Sequence, residues 1–250
     1  MKKTFPLLVC IVLLSSFTDN PVSFYNSQSR FPRVREAIKQ KGQFVNELLA
    51  SKGINARDFD IFLRIFKKER EVELWAKNKK SSTFTLIKVY NSCASSGVLG
   101  PKRRSGDRQT PEGFYNVDAF NPASHYNLSF RVSYPNISDL KFADPINPGD
   151  NIFIHGSCLT IGCIPVGDDF IQELYLIAVK AKSSGQDIPV HIFPTKMTDE
   201  AYAQLKTEFS SNASLLEFWS WLKPGYDYFE KNKSLPIIMV DENTGKYLIK

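Results

Sequence analysis

The sequence has no internal repeat and no long low-complexity stretch, so neither a repeat array nor a disordered chain is expected. With 42% hydrophobic and 23% charged residues in 250, it has the composition of an ordinary globular protein, long enough for one sizeable core with appendages. It lacks a concentrated basic element. The 32 Lys and Arg residues are scattered, so the net charge of +6 argues for an anionic polymer such as a cell wall and against nucleic acid. It also lacks any second long apolar run. Phe5 to Leu14, interrupted by Pro6, is the one candidate, and it is too short to span a bilayer comfortably.

That run follows Lys2 and Lys3 and gives way to polar sequence at Ser15, the layout of a cleaved secretory signal. Residues 1–18 are therefore read as a signal peptide, with Ser16-Phe17-Thr18 before Asp19 as a poor but usable cleavage site. A lipid anchor on Cys10 is rejected, because Val9 before it is not small. The expected product is exported to the periplasm, has no stable membrane insertion after cleavage, and carries 30 basic against 26 acidic residues. It keeps Cys93, Cys158 and Cys163. An odd number of thiols in an oxidising compartment implies one pair and one free thiol, or three free thiols.

Periodicity divides the rest. Arg33 to Lys52 repeats apolar residues at helical spacing and stops at Gly53, so residues 19–56 read as an N-terminal helical segment. Three strand-like runs follow, around Phe59–Ile65, Val72–Ala76 and Phe84–Tyr90, with polar turns between them, as in a β-meander. Ser92 to Gly113 is a long loop, and loops of that length are usually functional or disordered. Strands resume at Phe114–Val117, Asn127–Tyr134, Asn151–His155 and Ile188–Phe193, with a helix from Asp169 to Ser184. Residues 57–196 thus read as the main domain. Residues 197–250 read as a helical, aromatic-rich extension ending in a hairpin that turns at Asn243-Thr244-Gly245, its aromatics assigned to core packing.

Chemistry concentrates in Ile152-Phe153-Ile154-His155-Gly156-Ser157-Cys158-Leu159-Thr160-Ile161-Gly162-Cys163. An apolar strand delivers His155, and a loop of small residues folds back to present Cys163. A thiolate is a strong nucleophile, and an imidazole beside it can take its proton and later return it to a leaving amine. Gly162 permits a tight turn, which would aim the amides around Ile161, Gly162 and Cys163 at one oxyanion. Two other readings stay open on pattern alone. One is a buried thiol near a structural histidine. The other is a zinc site built from His155, Cys158, Cys163 and His191, although His-x2-Cys-x4-Cys is not a usual zinc spacing.

His155-Gly156 followed by Thr160-x-Gly162-Cys163 resembles the signature of the L,D-transpeptidase (YkuD-type) superfamily. The loop elements Gly100-Pro101-Lys102 with Gly106-Asp107, and Thr110-Pro111-Glu112-Gly113, look like the same family. So do Tyr134-Pro135-Asn136, Phe193-Pro194 with Met197-Thr198, and Leu222-Lys223-Pro224-Gly225-Tyr226-Asp227-Tyr228-Phe229, which are closest to its YafK/DpaA-like branch. The resemblance runs from about Asp58 nearly to the end. It implies an α+β, β-dominated fold: a β-sandwich catalytic domain with a preceding helix and a helical C-terminal extension. It implies Cys163 as nucleophile, His155 as base, and oxyanion donors on the backbone around Gly162 and Cys163, in the loop that also holds Thr160 and Ile161, with no metal and no cofactor.

The implied substrate is a peptidoglycan stem peptide, attacked at the L-centre carbonyl of meso-diaminopimelate. The acyl group then passes to an amine, or to water in a hydrolase that frees a diaminopimelate-linked peptide or a wall-attached lipoprotein. A non-catalytic wall-binding module is the rival from another class. Two positions depart from the broad superfamily. Ile161 stands where a second histidine is usual, and Pro165 where an asparagine is, as in the YafK/DpaA-like branch, and this leaves the acceptor side open. Lys102, Arg103, Arg104 and Tyr115 are weak candidates for substrate binding, with Arg108 on the same basic loop; Asp107 is read as ordering that loop. Cys93 and Cys158 are the candidate disulfide, and His191 is assigned a structural role.

Overall fold

The computed structural model describes residues 21–250; the expected signal peptide, residues 1–18, lies outside them. The chain begins with helices α1 (Pro21–Gln28) and α2 (Pro32–Ser51) and enters the meander β1 (Phe59–Phe66), β2 (Glu71–Asn78) and β3 (Thr85–Asn91). After the long loop come β4 (Gly113–Asn121), β5 (Ser129–Val132), the short helix α3 (Ile137–Phe142), β6 (Phe153–His155) and β7 (Ile164–Pro165). The chain then forms α4 (Asp168–Lys182), β8 (Pro189–Phe193), α5 (Asp199–Glu208), α6 (Ala213–Asn232) and the hairpin β9 (Ile238–Val240) and β10 (Tyr247–Ile249).

The fold is mixed α+β. Its first eight strands form one curled sheet in the order β3-β2-β1-β8-β4-β5-β6-β7. The two halves of the sheet are joined through β4. Its first residues pair with β8 (Gly113 opposite Ile192), and its last pair with β5 (Asn121 opposite Ser129). A register irregularity between Val117 and Ala119 marks the handover, and such irregularities bend a strand.

The alternation along β1 predicts one buried face. The structure buries both. Ile61, Leu63 and Ile65 pack with Val34, Ala37 and Leu49 of α2 and the apolar face of α4. Phe62, Arg64 and Phe66 point the other way and are covered by the C-terminal helices. A buried guanidinium is stable only when its charge and donors are met. Arg64 donates to Glu73 Oε2 (2.8 Å) and Glu230 Oε1 (2.6 Å) and lies against the Trp75, Tyr226 and Phe229 rings.

Two helices outside the periodic pattern have local causes. α1 is too short to show a stripe. α3 is nucleated by a capping box: the Asn136 side chain accepts the Asp139 N–H, and Asp139 accepts the Asn136 N–H. The pattern Asn-x-x-Asp was the available signal for α3.

His191 on β8 is structural. Its ring packs edge-on against Phe62 and Phe114, at centroid distances of 4.6 and 4.7 Å. Burial first, and the nearby Arg64 charge second, hold its pKa down at about 3. An unfolded chain takes up this proton near 6.5 and the folded one does not, so the group contributes stability above pH 6.5 that drains away as pH falls towards 3. The loss is on the order of 5 kcal/mol for complete titration. The fall in Tm between neutral pH and about pH 4 is therefore expected to be smaller in His191→Leu than in wild type. Equal falls in the two proteins would show that His191 is not the acid-sensitive group.

Candidate active site

β6 and β7 run parallel, with Ile154 opposite Ile164 and His155 opposite Pro165. Side chains alternate along a strand, so Cys163, one step before Ile164, falls on the face shared by Phe153 and His155. Both His155 and Cys163 line a cavity of about 180 Å³, together with Ser124, His125, Tyr126 and Ser129.

The geometry around His155 defines its tautomer. Its Nδ1 faces Gly156 O at hydrogen-bond distance. A carbonyl only accepts, so Nδ1 carries the proton and the neutral ring keeps its lone pair on Nε2. Burial lowers the His155 pKa below 6.5, against a smaller upward pull from the Gly156 carbonyl, so the ring is a neutral base at neutral pH. Tyr126 packs over it at 4.8 Å between centroids. The loop bearing Tyr126 is held on both sides. Gly156 N–H donates to Tyr126 O (3.0 Å), and Arg33 of α2 donates to the carbonyls of Ser124 and Asn127, the latter at 2.8 Å. Tyr126 and Arg33 are missing from the sequence reading. Their partners lie far along the chain, and no local pattern marks such pairings.

Cys163 is half-buried and is the free cysteine among the described residues. Its thiol donates to Asn151 O (3.6 Å) and accepts the Phe153 N–H (3.5 Å). Burial raises its pKa above 9.0; the Phe153 amide and the Lys102 charge offset only part of that. The resting pair is therefore a neutral thiol beside a neutral imidazole. Thr160 closes the turn before the cysteine. Its Oγ1 donates to Cys163 O (2.8 Å) and accepts the Gly162 N–H (3.1 Å). Of the three amides named as oxyanion donors, that of Gly162 is thus already engaged. Gly162 has φ +137°, and a Cβ there would sit 2.9 Å from Gln109 O, so no other residue fits. Ile161 is 77% exposed at the tip of the turn. α4 starts at Asp168, after β7, so the cysteine does not sit at a helix N-terminus.

Cys93 and Cys158 are joined in a disulfide with Cα atoms 5.4 Å apart, tying the start of the long loop to the segment before Cys163. With Cys158 bonded and His191 enclosed by phenylalanines, the four zinc-ligand candidates are not brought together. Protein starting at Asp19 contains three cysteines. Alkylation of it, denatured but unreduced, is expected to label Cys163 alone, and prior reduction to label all three. Three labels without reduction would remove the disulfide.

The long loop is ordered by its own charges. Asp107 accepts Lys102 Nζ (2.6 Å) and the N–H groups of Arg103, Arg104 and Gln109; these bonds outweigh burial and hold its pKa below 3.8. Most of the expected substrate-binding set has partners inside the protein. Lys102 is buried, and its ammonium is taken by Asp107 and Arg104 O. Arg103 lies between the Phe142 and Phe218 rings, 3.6 Å from Asp139. Tyr115 is buried and donates to Asp139 Oδ2 (2.9 Å). Burial raises the Asp139 pKa to about 7. Arg104 stays exposed, but lines neither cavity that Cys163 touches.

The second of those cavities, about 570 Å³, is also lined by Cys163. It is walled by the β1–β2 turn, Ser92, residues 94–99, Thr110 and Phe209.

A family model described as the L,D-transpeptidase catalytic domain, YkuD, matches residues 60–192. Over 192 residues the chain is 36% identical to "Putative L,D-transpeptidase YafK" of Escherichia coli strain K12, a match covering 76% of this chain and 73% of that protein. Among solved structures, the helical cell shape determining protein Pgp2 of Campylobacter jejuni aligns with a TM-score of 0.44 and 17% identity, covering 79% of this chain and 80% of that one. Bd1075 of Bdellovibrio bacteriovorus aligns with a TM-score of 0.39 and 20% identity, covering 73% of this chain and 78% of that one.

Proposed function

This chain belongs to the L,D-transpeptidase (YkuD) catalytic domain family, and from that premise we propose that it is an exported cysteine acyltransferase acting on peptidoglycan stem peptides. The observation that carries the reading is the single cavity lined by both Cys163 and His155, with the lone pair of the imidazole left on Nε2.

In this reading the bound stem presents the L-centre carbonyl of diaminopimelate to Cys163 Sγ. His155 Nε2 takes the thiol proton as sulfur attacks, so the ion pair forms only as it is used. The Cys163 amide, next to the nucleophile, serves the oxyanion. The imidazolium returns the proton to the departing amine, the C–N bond breaks, and a thioester remains. An incoming amine loses its proton to His155 and displaces the thiol, restoring the neutral pair. Water in place of that amine would make the enzyme a hydrolase releasing a diaminopimelate-linked peptide or lipoprotein. The first half-reaction is common to both. No described helix is long and apolar enough to cross a membrane.

Mass spectrometry of purified muropeptides tests this. Tetrapeptide stems, and stems with a lysine peptide on the L-centre carbonyl, are incubated with the chain from Asp19 or with its Cys163→Ala variant. Diaminopimelate–diaminopimelate dimers made only by the wild type establish transpeptidation. Release of the lysine peptide without dimers replaces it by hydrolysis. Binding with no product in either protein leaves a wall-binding module.

A further inference from the structure

The residues expected to hold a substrate carboxylate are largely consumed inside the protein, so the charge available near Cys163 has to be sought elsewhere. Three cations line the larger cavity beside Cys163: Lys67, Lys68 and Arg70. Lys67 is spent on Gly100 O (2.7 Å), Thr110 O (2.9 Å) and Glu112 (2.9 Å). Lys68 pairs with Glu208, the carboxylate on the same wall, at 3.5 Å. Arg70 is exposed, and among the described residues its guanidinium has no hydrogen-bond or ion-pair partner.

The backbone that carries Arg70 is firmly placed. The residue occupies the tight β1–β2 turn with φ +56°. Its N–H donates to Lys67 O (3.3 Å), and its carbonyl accepts the Ser92 N–H (2.7 Å). The Lys67 and Lys68 amides donate to Phe193 O (3.0 Å) and Pro194 O (2.9 Å), at the end of the central strand β8. The planar guanidinium fork matches a carboxylate, and the clamped turn fixes the backbone from which it extends.

The position of Cys163 between two cavities says which end of the substrate arrives there. His155 must reach the departing and incoming amines, so these belong in the smaller cavity that His155 lines. The acyl part of the stem then extends into the larger one. That part is anionic, with one carboxylate on the D-isoglutamyl residue and one at the D-centre of diaminopimelate.

We propose that Arg70 binds a carboxylate of the acyl-donor stem in the larger cavity beside Cys163, and so makes the enzyme select stems in which that carboxylate is not amidated. The proposal rests on the acyl-transfer reading above.

Three tetrapeptide donors test it: one with both carboxylates free, one amidated at the isoglutamyl position and one amidated at the D-centre. kcat and KM are measured for wild type, Arg70→Gln and Arg70→Lys. Binding of each donor to the Cys163→Ala protein, with and without Arg70→Gln, is measured by calorimetry, and Tm checks folding. A charge-assisted hydrogen bond corresponds to a loss of about 10- to 100-fold on removal. Wild type is expected to lose that factor on one of the amidated donors, mainly through KM, which identifies the carboxylate. Arg70→Gln should lose it on the free donor and show no further loss on the same amidated one, with Arg70→Lys in between. If the losses from amidation and from Arg70→Gln multiply, Arg70 does not bind the carboxylate, although the acyl-transfer reading stands. If wild type turns over no donor and the Cys163→Ala protein binds none, both fall together.

Discussion

Cys163→Ala is expected to reduce turnover of stem peptides by a factor on the order of 10⁴ or more while leaving their binding intact, because a nucleophile has no substitute in covalent catalysis. The thiol is half-buried, and alanine removes one sulfur from the junction of two open cavities, so little packing is lost. His155→Ala should cost about 10²- to 10⁴-fold, the usual contribution of a positioned acid–base group. The pH profile carries more information than either variant. His155 acts only when neutral, and burial holds its pKa below 6.5, so activity should persist through pH 6.5 and decline on the acid side of it. Burial holds the thiol above 9.0, so the rate of Cys163 alkylation should still be rising at pH 9.0. Alkylation that levels off near neutral pH would mean a preformed thiolate–imidazolium pair, and the proton-transfer order given above would be wrong. Unchanged turnover in Cys163→Ala would end the cysteine mechanism altogether.

Glu112→Ala is expected to be the most destabilising of the substitutions considered, at about 3–5 kcal/mol, because it strands a buried cation. Glu112 is fully buried. It accepts Lys67 Nζ (2.9 Å), the Gly100 N–H (2.7 Å) and Trp219 Nε1 (2.7 Å), so one carboxylate joins the end of β1, both arms of the long loop and α6. For a chain of this size the loss amounts to roughly a 10 °C fall in Tm. The amide and the indole bond opposite oxygens of Glu112, so Glu112→Gln keeps an acceptor for only one of them and removes the charge opposite Lys67; it should fall between wild type and alanine. Urea unfolding of the three proteins is the measurement. A loss under about 1 kcal/mol in Glu112→Ala would show that Lys67 is satisfied by the Gly100 and Thr110 carbonyls alone. Thr110 also walls the larger cavity, so donor binding should weaken in parallel.

Lys67, Glu112 and Trp219 also show where reading the sequence ends. All three residue types are visible in the sequence, and Glu112 stands inside a recognisable Thr-Pro-x-Gly element, yet nothing local says that they meet. Arg103 and Tyr115 looked like substrate contacts for the same reason: a basic loop and a tyrosine are equally consistent with solvent, substrate or an internal carboxylate. Both meet Asp139, and it lies on a helix that apolar periodicity does not reveal.

By itself the sequence determined the meander, helices α2 and α4, the terminal hairpin, the family, and the short span from His155 to Cys163 in which the proposed chemistry is concentrated. Each is written in spacings of a few residues, where backbone geometry alone sets which side chains share a face. Only the tertiary structure decided that β1 is buried on both faces, that Tyr126 and Arg33 support the histidine, that Cys93 bonds to Cys158, and that Arg70 lines the larger cavity beside the nucleophile with no side-chain partner among the described residues. A charged side chain takes its role from whichever opposite charge or dipole the fold brings to it. For Arg33, Glu112 and Arg103 those partners lie dozens of residues away, beyond any local pattern.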